Sequence, residues 1–154
     1  MILASRNEHK VRELGEILPG TDLRALPEGV ESPPETGVTF EENALIKARS
    51  AREATGEVVV ADDSGLEVDA LDGRPGVYSA RYAGEGATDA GNLARVLSEL
   101  AETGPGGAEG RSGSGPGHTA RYVCVIALID DSGEHLFRGT CEGWMIQEPR
   151  GDGG

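Results

Sequence analysis

The sequence is poor in basic residues. It has 14 Lys plus Arg against 27 Asp plus Glu, which gives a formal net charge of -13. A chain with this charge repels a polyanionic backbone unless its basic residues are gathered into a patch. Nucleic acid is therefore not an expected partner. A small phosphorylated ligand stays compatible with the charge, because a metal ion and a few placed Lys or Arg outweigh the overall field locally.

Aromatic residues, cysteines and long apolar runs are also scarce. Aromatics make up 4% of the chain, so the core must be built from Val, Leu, Ile and Ala. No apolar run approaches the about 20 residues that cross a membrane, and the N-terminus lacks the pattern of a secretory signal. Cys124 and Cys141 lie in strand-like stretches without C-x-x-C spacing, which predicts buried reduced thiols. We expect a cytoplasmic protein with no membrane partner.

The order of predicted elements indicates an α/β fold with a mixed β-sheet flanked by helices. At 154 residues the chain is expected to form a single domain, 1–154. Apolar spacing predicts helices that begin after Asn7, at Thr39, which has capping-box spacing to Glu42, and after Thr88. Residues 104–117 are rich in Gly, Ser and Pro, which predicts a flexible loop. The predicted strands are residues 1–5, 22–26, 58–61, 66–70, 122–129 and a hairpin partner that reaches roughly residue 146.

The third predicted strand ends in two adjacent carboxylates. Residues 58–61 are apolar or small, and Asp62, Asp63, Ser64 and Gly65 follow them directly. Ligands of α/β proteins bind at strand ends, and neighbouring side chains of a strand face opposite ways. Two carboxylates beside a hydroxyl form an oxygen-rich site of the kind that Mg²⁺ shares with phosphates. The alternative is that both aspartates only cap a turn after a core strand.

A helix start near the N-terminus offers a second candidate site. Residues 4–10 join the first predicted strand to the first helix, and Lys10 lies one turn into that helix. Free backbone N–H groups and the positive end of the helix dipole favour phosphate there. The alternative is an ordinary Asn7 cap with a solvated lysine.

Glu35 is a third acidic candidate. It lies in a proline-rich loop between two predicted helices, from where it can reach the acidic strand end and share a cation, or it can be a surface residue. The three histidines lack metal-ligand spacing, and the sequence order supports no Ser-His-Asp arrangement. Acid and metal chemistry is favoured over nucleophilic catalysis.

Three segments together resemble the inosine triphosphate pyrophosphatase family of non-canonical purine nucleoside triphosphate hydrolases, also described as XTP/dITP diphosphatases. They are ASRNEHKVREL, ETGVTFEENALIKARSA and ADDSGLEVDALDGRPGVYSARYAG. The third is the most specific, because its order of acids, glycines, Pro-Gly and Ser-Ala-Arg-Tyr rarely arises from generic α/β packing. The resemblance covers nearly the whole chain.

The resemblance implies hydrolysis of ITP, dITP or XTP to the monophosphate and pyrophosphate, with Mg²⁺ as cofactor, in a homodimer. It implies that Asp63 is the catalytic acid and also touches the metal. Glu35 and Asp62 would complete the metal site. The implied substrate-binding residues are Ser5, Arg6, Asn7, Lys10 and Ser64.

The chain also departs from the family pattern. Arg6 stands where many members have Gly, and Pro34 stands where many have a second acid before Glu35. The family continues beyond residue 154 with segments that recognise the base, so we expect a domain that is incomplete at its C-terminus. The alternative function is a non-catalytic nucleotide-binding or oligomerisation module.

Overall fold

The computed structural model describes residues 1–104, 108–109 and 116–146. None of the helices in these ranges is long and apolar enough to cross a membrane. The regular elements are β1 (Ile2–Leu3), α1 (Glu8–Ile17), α2 (Phe40–Thr55), β2 (Val59–Val68), two 3-10 helices (Asp69–Leu71 and Gly76–Arg81), α3 (Asp89–Thr103), β3 (Ala108–Glu109), β4 (Pro116–Asp130) and β5 (Gly133–Met145).

The described strands form a mixed sheet. Their order is β1-β2-β4-β3, and β5 pairs with β4. β1 and β2 are parallel, with Ile2 opposite Val59, whereas β3 and β4 are antiparallel. Parallel pairing requires a crossover, and α1 and α2 lie in the chain between these two strands. The predicted α/β fold with a mixed sheet flanked by helices is confirmed.

Backbone contacts divide the chain into two compact units. Unit 1 contains Met1–Asp63 and Cys124–Arg138, and unit 2 contains Ser64–Val123 and Gly139–Gly154. Each unit has buried apolar residues of its own. In unit 1 these include Ile2, Leu3, Phe40, Ala44, Ala48, Val59, Val60, Val125 and Ala127. In unit 2 they include Val68, Leu71, Tyr82, Val96, Leu100 and Ala120. The single domain expected for residues 1–154 stays a prediction.

Capping residues set the ends of the helices where the sequence predicts them. Thr39 precedes α2, and its hydroxyl accepts the Glu42 N–H at 3.1 Å. The Glu42 carboxylate accepts the Val38 N–H at 2.7 Å, one residue before the position that a capping box uses. α2 ends at Gly56, whose left-handed backbone (φ 68°) suits glycine. Local hydrogen bonds therefore fix the helix that carries much of the candidate site.

The strand predictions needed two corrections. β2 does not end before the acids but runs through Asp62 and Asp63 to Val68, so it includes residues 66–68 of the separate strand predicted at residues 66–70, and Asp69–Leu71 form a 3-10 helix. Both acids have lysine partners, which allows them to lie within a strand instead of ending it. The strand predicted at residues 22–26 is reduced to one bridge between Ile2 and Arg24.

The predicted burial of the cysteines was wrong. Cys124 and Cys141 are free thiols, as expected, but both are exposed. Cys124 lies between the buried Val123 and Val125 in β4, so its side chain is on the opposite face of the strand. Cys141 lies in β5, where nearly every residue is exposed or half-buried. The flexible loop predicted at residues 104–117 lies largely outside the described residues, and so do residues 147–154.

Gly65 allows a close backbone approach inside unit 2. A Cβ added there would lie 2.5 Å from the Ser79 hydroxyl and 2.6 Å from the Gly76 carbonyl oxygen. The neighbouring Leu66 N–H donates to the same Ser79 hydroxyl at 2.9 Å, which in turn donates to Gly76. Glycine in a strand often marks a place where other backbone comes close.

We therefore expect Gly65→Ala to lower the free energy of unfolding by about 1–3 kcal/mol, the usual cost of overpacking. Equilibrium urea denaturation measures the loss. Gly139→Ala is the matched control, because a Cβ added at this strand position meets no atom within 4 Å. Equal stability of the two variants would contradict the packing account.

Candidate active site

The candidate site lies in unit 1, where β2, α1, α2 and one loop bring charged side chains together. β2 supplies Asp62 and Asp63, and the two neighbouring residues contact lysines of different helices. Asp62 contacts Lys10 of α1, and Asp63 contacts Lys47 of α2. This divergence is what alternation along a strand predicts. The site therefore has two lysine-carboxylate contacts at adjacent positions of one strand.

The Lys47 ammonium group is shared between two carboxylates. Its Nζ lies 3.0 Å from Asp63 Oδ1 and 2.7 Å from Glu35 Oε1. The Lys47 side chain is 14% exposed and that of Asp63 is 9% exposed. Charge-assisted hydrogen bonds of this kind are the main compensation for removing charged groups from water. Glu35, predicted either to reach the acids or to be a surface residue, reaches them through this lysine.

The second oxygen of Asp63 is also bound. The Asn43 amide nitrogen donates to Asp63 Oδ2 at 3.3 Å, and its amide oxygen accepts the Gly37 N–H at 2.8 Å. Asn43 is fully buried. Because Asn43 and Lys47 are four residues apart in α2, they lie on the same side of the helix. One face of α2 thus holds both oxygens of the Asp63 carboxylate.

Opposing electrostatic effects act on the pKa of Asp63 in this shared contact. Burial raises the pKa of Asp63, the Lys47 charge lowers it, and the Glu35 charge raises it again, with a net upward shift. Burial alone would lower the pKa of Lys47, but its bonds to Glu35 and Asp63 raise it above the ordinary value. Lys47 therefore carries its charge at neutral pH, while Asp63 is a stronger base than an exposed aspartate.

Lys10 joins the first helix to the acidic strand. Its Nζ lies 2.6 Å from Asp62 Oδ2, and the side chains are 40% and 12% exposed. Lys10 therefore brings the start of α1 against one residue of the acidic pair, Asp62. The more exposed Lys10 retains access to solvent, so an anionic ligand can reach it.

Three of the other predicted substrate-binding residues, Ser5, Arg6 and Asn7, precede Lys10 closely in the sequence, whereas Ser64 does not. Ser5 accepts the Asn7 N–H at 3.1 Å, and Asn7 Oδ1 accepts the Lys10 N–H at 3.4 Å. The Asn7 side chain thus caps the first turn of α1. The Arg6 guanidinium donates to the Val30 carbonyl. Ser64 follows Asp63 in β2 and is the first residue of unit 2. The ligand-binding roles of these residues stay predictions.

The predicted metal set of Glu35, Asp62 and Asp63 is not assembled in this arrangement. Within residues 1–104, 108–109 and 116–146, no group of three or more His, Cys, Asp or Glu is placed to hold a metal ion. The reason is that Asp62 contacts Lys10, whereas Glu35 and Asp63 share Lys47. Glu35 and Asp63 nevertheless offer carboxylate oxygens on either side of a cationic group. That donor chemistry suits a hard cation such as Mg²⁺.

A Ser-His-Asp cluster occurs at the turn between β4 and β5, but its geometry is not that of a nucleophilic triad. The Ser132 hydroxyl donates to Asp130 Oδ1 at 2.6 Å, and His135 Nε2 lies 3.4 Å from the same oxygen. In a triad the aspartate contacts the other ring nitrogen and leaves Nε2 for the serine. The pKa of Asp130 is lowered to about 2, chiefly by its bonds from Ser132. The cluster stabilises the turn.

Sequence reasoning missed two members of the site, Lys47 and Asn43. Both border the buried stripe of α2 that contains Phe40, Ala44 and Ala48. An asparagine and a lysine spaced four residues apart beside such a stripe were the available signal. Periodicity alone does not distinguish polar residues directed inward from those that flank a helix in solvent.

Comparison with known proteins shows the family of the chain. The model of the Ham1 family matches residues 1–154. A relative named dITP/XTP pyrophosphatase, from Mycobacterium tuberculosis, is 47% identical over 161 residues, which span 100% of this chain and 74% of the relative. A second relative of that name, from Desulforamulus reducens, is 45% identical over 160 residues, which span 100% of this chain and 74% of that protein.

A solved structure shows the same fold. The HAM1 protein from Coxiella burnetii has a TM-score of 0.83 and 40% identity, and the match covers 99% of this chain and 76% of that one. The resemblance inferred from the sequence is confirmed, and the chain belongs to the Ham1 family.

Proposed function

We propose that this chain hydrolyses non-canonical purine nucleoside triphosphates such as dITP and XTP to the monophosphate and pyrophosphate. The family supports the reaction class, because the relatives described above are named dITP/XTP pyrophosphatases. The observation that carries the proposal is the buried Asp63, held by Lys47 and Asn43 beside the Lys10 and Asp62 contact. In this arrangement a basic carboxylate contacts Lys47 and the adjacent Asp62 contacts Lys10, so both lysines that suit a triphosphate are bonded to neighbouring residues of β2.

The two lysines are the cationic side chains of the proposed site. A triphosphate is a polyanion, and the chain carries a formal charge of -13. Lys10 and Lys47 therefore serve as the phosphate-binding cations, with Ser5 and Asn7 at the adjacent helix start. Ser64 and Arg6 remain predicted substrate contacts. The Arg6 guanidinium already donates to the Val30 carbonyl.

Asp63 acts as the general base in this proposal. Pyrophosphate leaves when a water oxygen bonds to the α-phosphorus and the bond from that phosphorus to the bridging oxygen breaks. The proton lost by the water passes to Asp63, whose pKa burial raises above its ordinary value. A base with a raised pKa accepts a proton more readily, provided that it is still ionised at the working pH.

Mg²⁺ is the proposed cofactor, and Glu35 and Asp63 would hold it. The support is their carboxylate oxygens, which lie 2.7 and 3.0 Å from the same Lys47 Nζ and are therefore close to each other. When bound, the ion would neutralise phosphate charge and increase the acidity of the attacking water. Asp62 adjoins these residues, and its role in the proposal is to hold Lys10 in position. A homodimer, expected from the resemblance, stays a prediction.

We expect Asp63→Asn to reduce pyrophosphate release from dITP by about 10²- to 10⁴-fold, since the amide cannot accept the proton. The fold should be kept. The raised pKa means that the contribution of Asp63 to stability is present at low pH and is lost as the pH rises through that pKa. At neutral pH the uncharged amide therefore costs little stability. A coupled pyrophosphate assay and thermal denaturation measure the two effects.

Asp131→Asn is the control for that substitution. Asp131 is exposed and contacts Arg52 at 2.6 Å in the turn after β4, so its loss should leave the rate unchanged. Asp63→Asn with full activity would refute the assignment of the base. Unfolding of the variant would instead assign Asp63 a structural role.

Removal of Mg²⁺ with EDTA should abolish pyrophosphate release, and added Mg²⁺ should restore it. Glu35→Gln should raise the Mg²⁺ concentration that gives half the maximal rate, because a neutral amide is a weaker ligand. Glu31→Gln is the matched control, since Glu31 is exposed in the same loop. An unchanged Mg²⁺ requirement in Glu35→Gln would remove Glu35 from the metal site.

A further inference from the structure

We propose that Asn43 is a positioning residue for the reaction, which fixes the orientation of the Asp63 carboxylate and joins it to the loop that carries Glu35. The inference rests on the proposed function, in which Asp63 is the base. Asn43 itself touches neither the nucleotide nor the water. It acts through Asp63 and Gly37, the two groups to which its amide is bonded.

Asn43 is a buried polar side chain at a position where an apolar residue would pack more simply. It is 0% exposed, and its neighbour Ala44 in the core of unit 1 is also 0% exposed. A buried amide costs free energy unless its polar atoms are paired. Here both amide atoms are paired, the oxygen with the Gly37 N–H at 2.8 Å and the nitrogen with Asp63 Oδ2 at 3.3 Å.

The backbone of Gly37 fixes which way the amide points. An N–H can only donate, so the Asn43 oxygen must face Gly37 and the nitrogen must face Asp63. The reverse orientation would set two donors against each other at Gly37 and two acceptors against each other at Asp63. A hydrogen bond from the main chain therefore determines that Asp63 meets a donor.

The contact of Asn43 complements that of Lys47. Lys47 Nζ bonds Asp63 Oδ1 at 3.0 Å, and Asn43 bonds Oδ2. The lysine provides charge at the end of a flexible stem, whereas the short planar amide restricts the direction of its hydrogen bond. Held at both oxygens, the carboxylate has a defined plane, which a general base requires for a directed proton transfer.

Gly37 shows that the loop is packed closely on this amide. A Cβ added at Gly37 would lie 2.7 Å from Asn43 Oδ1 and 2.6 Å from Glu42 Cβ. The loop backbone therefore lies directly against α2. Glu35, two residues earlier, contacts the Lys47 ammonium at 2.7 Å. Asn43 thus joins Asp63 to the loop that carries Glu35.

The test compares two isosteric substitutions, Asn43→Asp and Asn92→Asp. Asn43→Asp keeps the acceptor for Gly37 but replaces the donor that faces Asp63 with an oxygen. Asn92 in unit 2 is also buried, accepts the Ala83 N–H at 2.8 Å and donates to the Ala80 carbonyl at 3.1 Å. Both substitutions convert one buried donor into an acceptor, but only the first faces the proposed base.

For the full chain with dITP and Mg²⁺, we expect Asn43→Asp to lower kcat by about 10- to 100-fold, as is typical for loss of a supporting group. KM should change much less, because Asn43 does not touch the nucleotide. Asn92→Asp should keep its kcat. Equal kcat in both variants, or an effect of Asn43→Asp on KM alone, would overturn the proposal.

A second measurement does not depend on folding of the Asn43 variant or on turnover. In NMR spectra, the side-chain amide resonances of Asn43 should differ between the unsubstituted chain and Asp63→Asn. They should be the same in the unsubstituted chain and Asp131→Asn. Resonances that do not respond to Asp63→Asn would overturn the positioning role. Absence of pyrophosphate release from the unsubstituted chain would instead count against the proposed function, and these spectra would still test the contact between Asn43 and Asp63.

Discussion

The ammonium group of Lys47, shared by Asp63 and Glu35, is the interaction on which the rest of the site depends. Without it, two carboxylates of low exposure would face each other with no opposing charge between them. Loss of the lysine would cost more than the contact itself contributes, because two uncompensated carboxylates would remain. The shared lysine therefore requires that α2, β2 and the loop before α2 be in place together.

The arrangement also reconciles the charge of the chain with the charge of its proposed substrate. The site contains three carboxylates, Glu35, Asp62 and Asp63, and two lysines, Lys10 and Lys47. Each lysine is held by protein carboxylates before any phosphate arrives. Fixed charges lose little orientational freedom when a ligand binds, which is the advantage of a preorganised site. Because the carboxylates outnumber the lysines, the proposed Mg²⁺ would make the site net positive, and this is how an acidic protein would bind a triphosphate.

The sequence was most informative where local chemistry decides structure. Thr39, Thr88 and Gly56 determine helix ends through hydrogen bonds to nearby backbone, and such contacts can be predicted from spacing. The continuation of β2 through Asp62 and Asp63 could not be predicted in this way. It depends on lysines 52 and 16 residues away in the chain, whose contacts exist only in the folded protein.

The difference between local contacts and contacts made only in the folded protein also applies to the candidate site. The acidic pair and the Lys10 corner could be found from sequence, because each is a compact motif next to a predicted strand or helix. Asn43 and Lys47 could not, since their inward direction follows from the packing of α2. The exposure of Cys124 was missed for a related reason. An apolar run predicts a strand but does not tell which of its two faces is covered.

A structure of the chain with Mg²⁺ and a triphosphate analogue that cannot be cleaved between its α- and β-phosphorus atoms would test the central claim most directly. The account predicts the ion on Glu35 and Asp63, the phosphates on Lys10 and Lys47, and the Asp63 carboxylate directed at a water beside the α-phosphorus. A nucleotide bound elsewhere, with Lys47 still bridging Glu35 and Asp63, would contradict it.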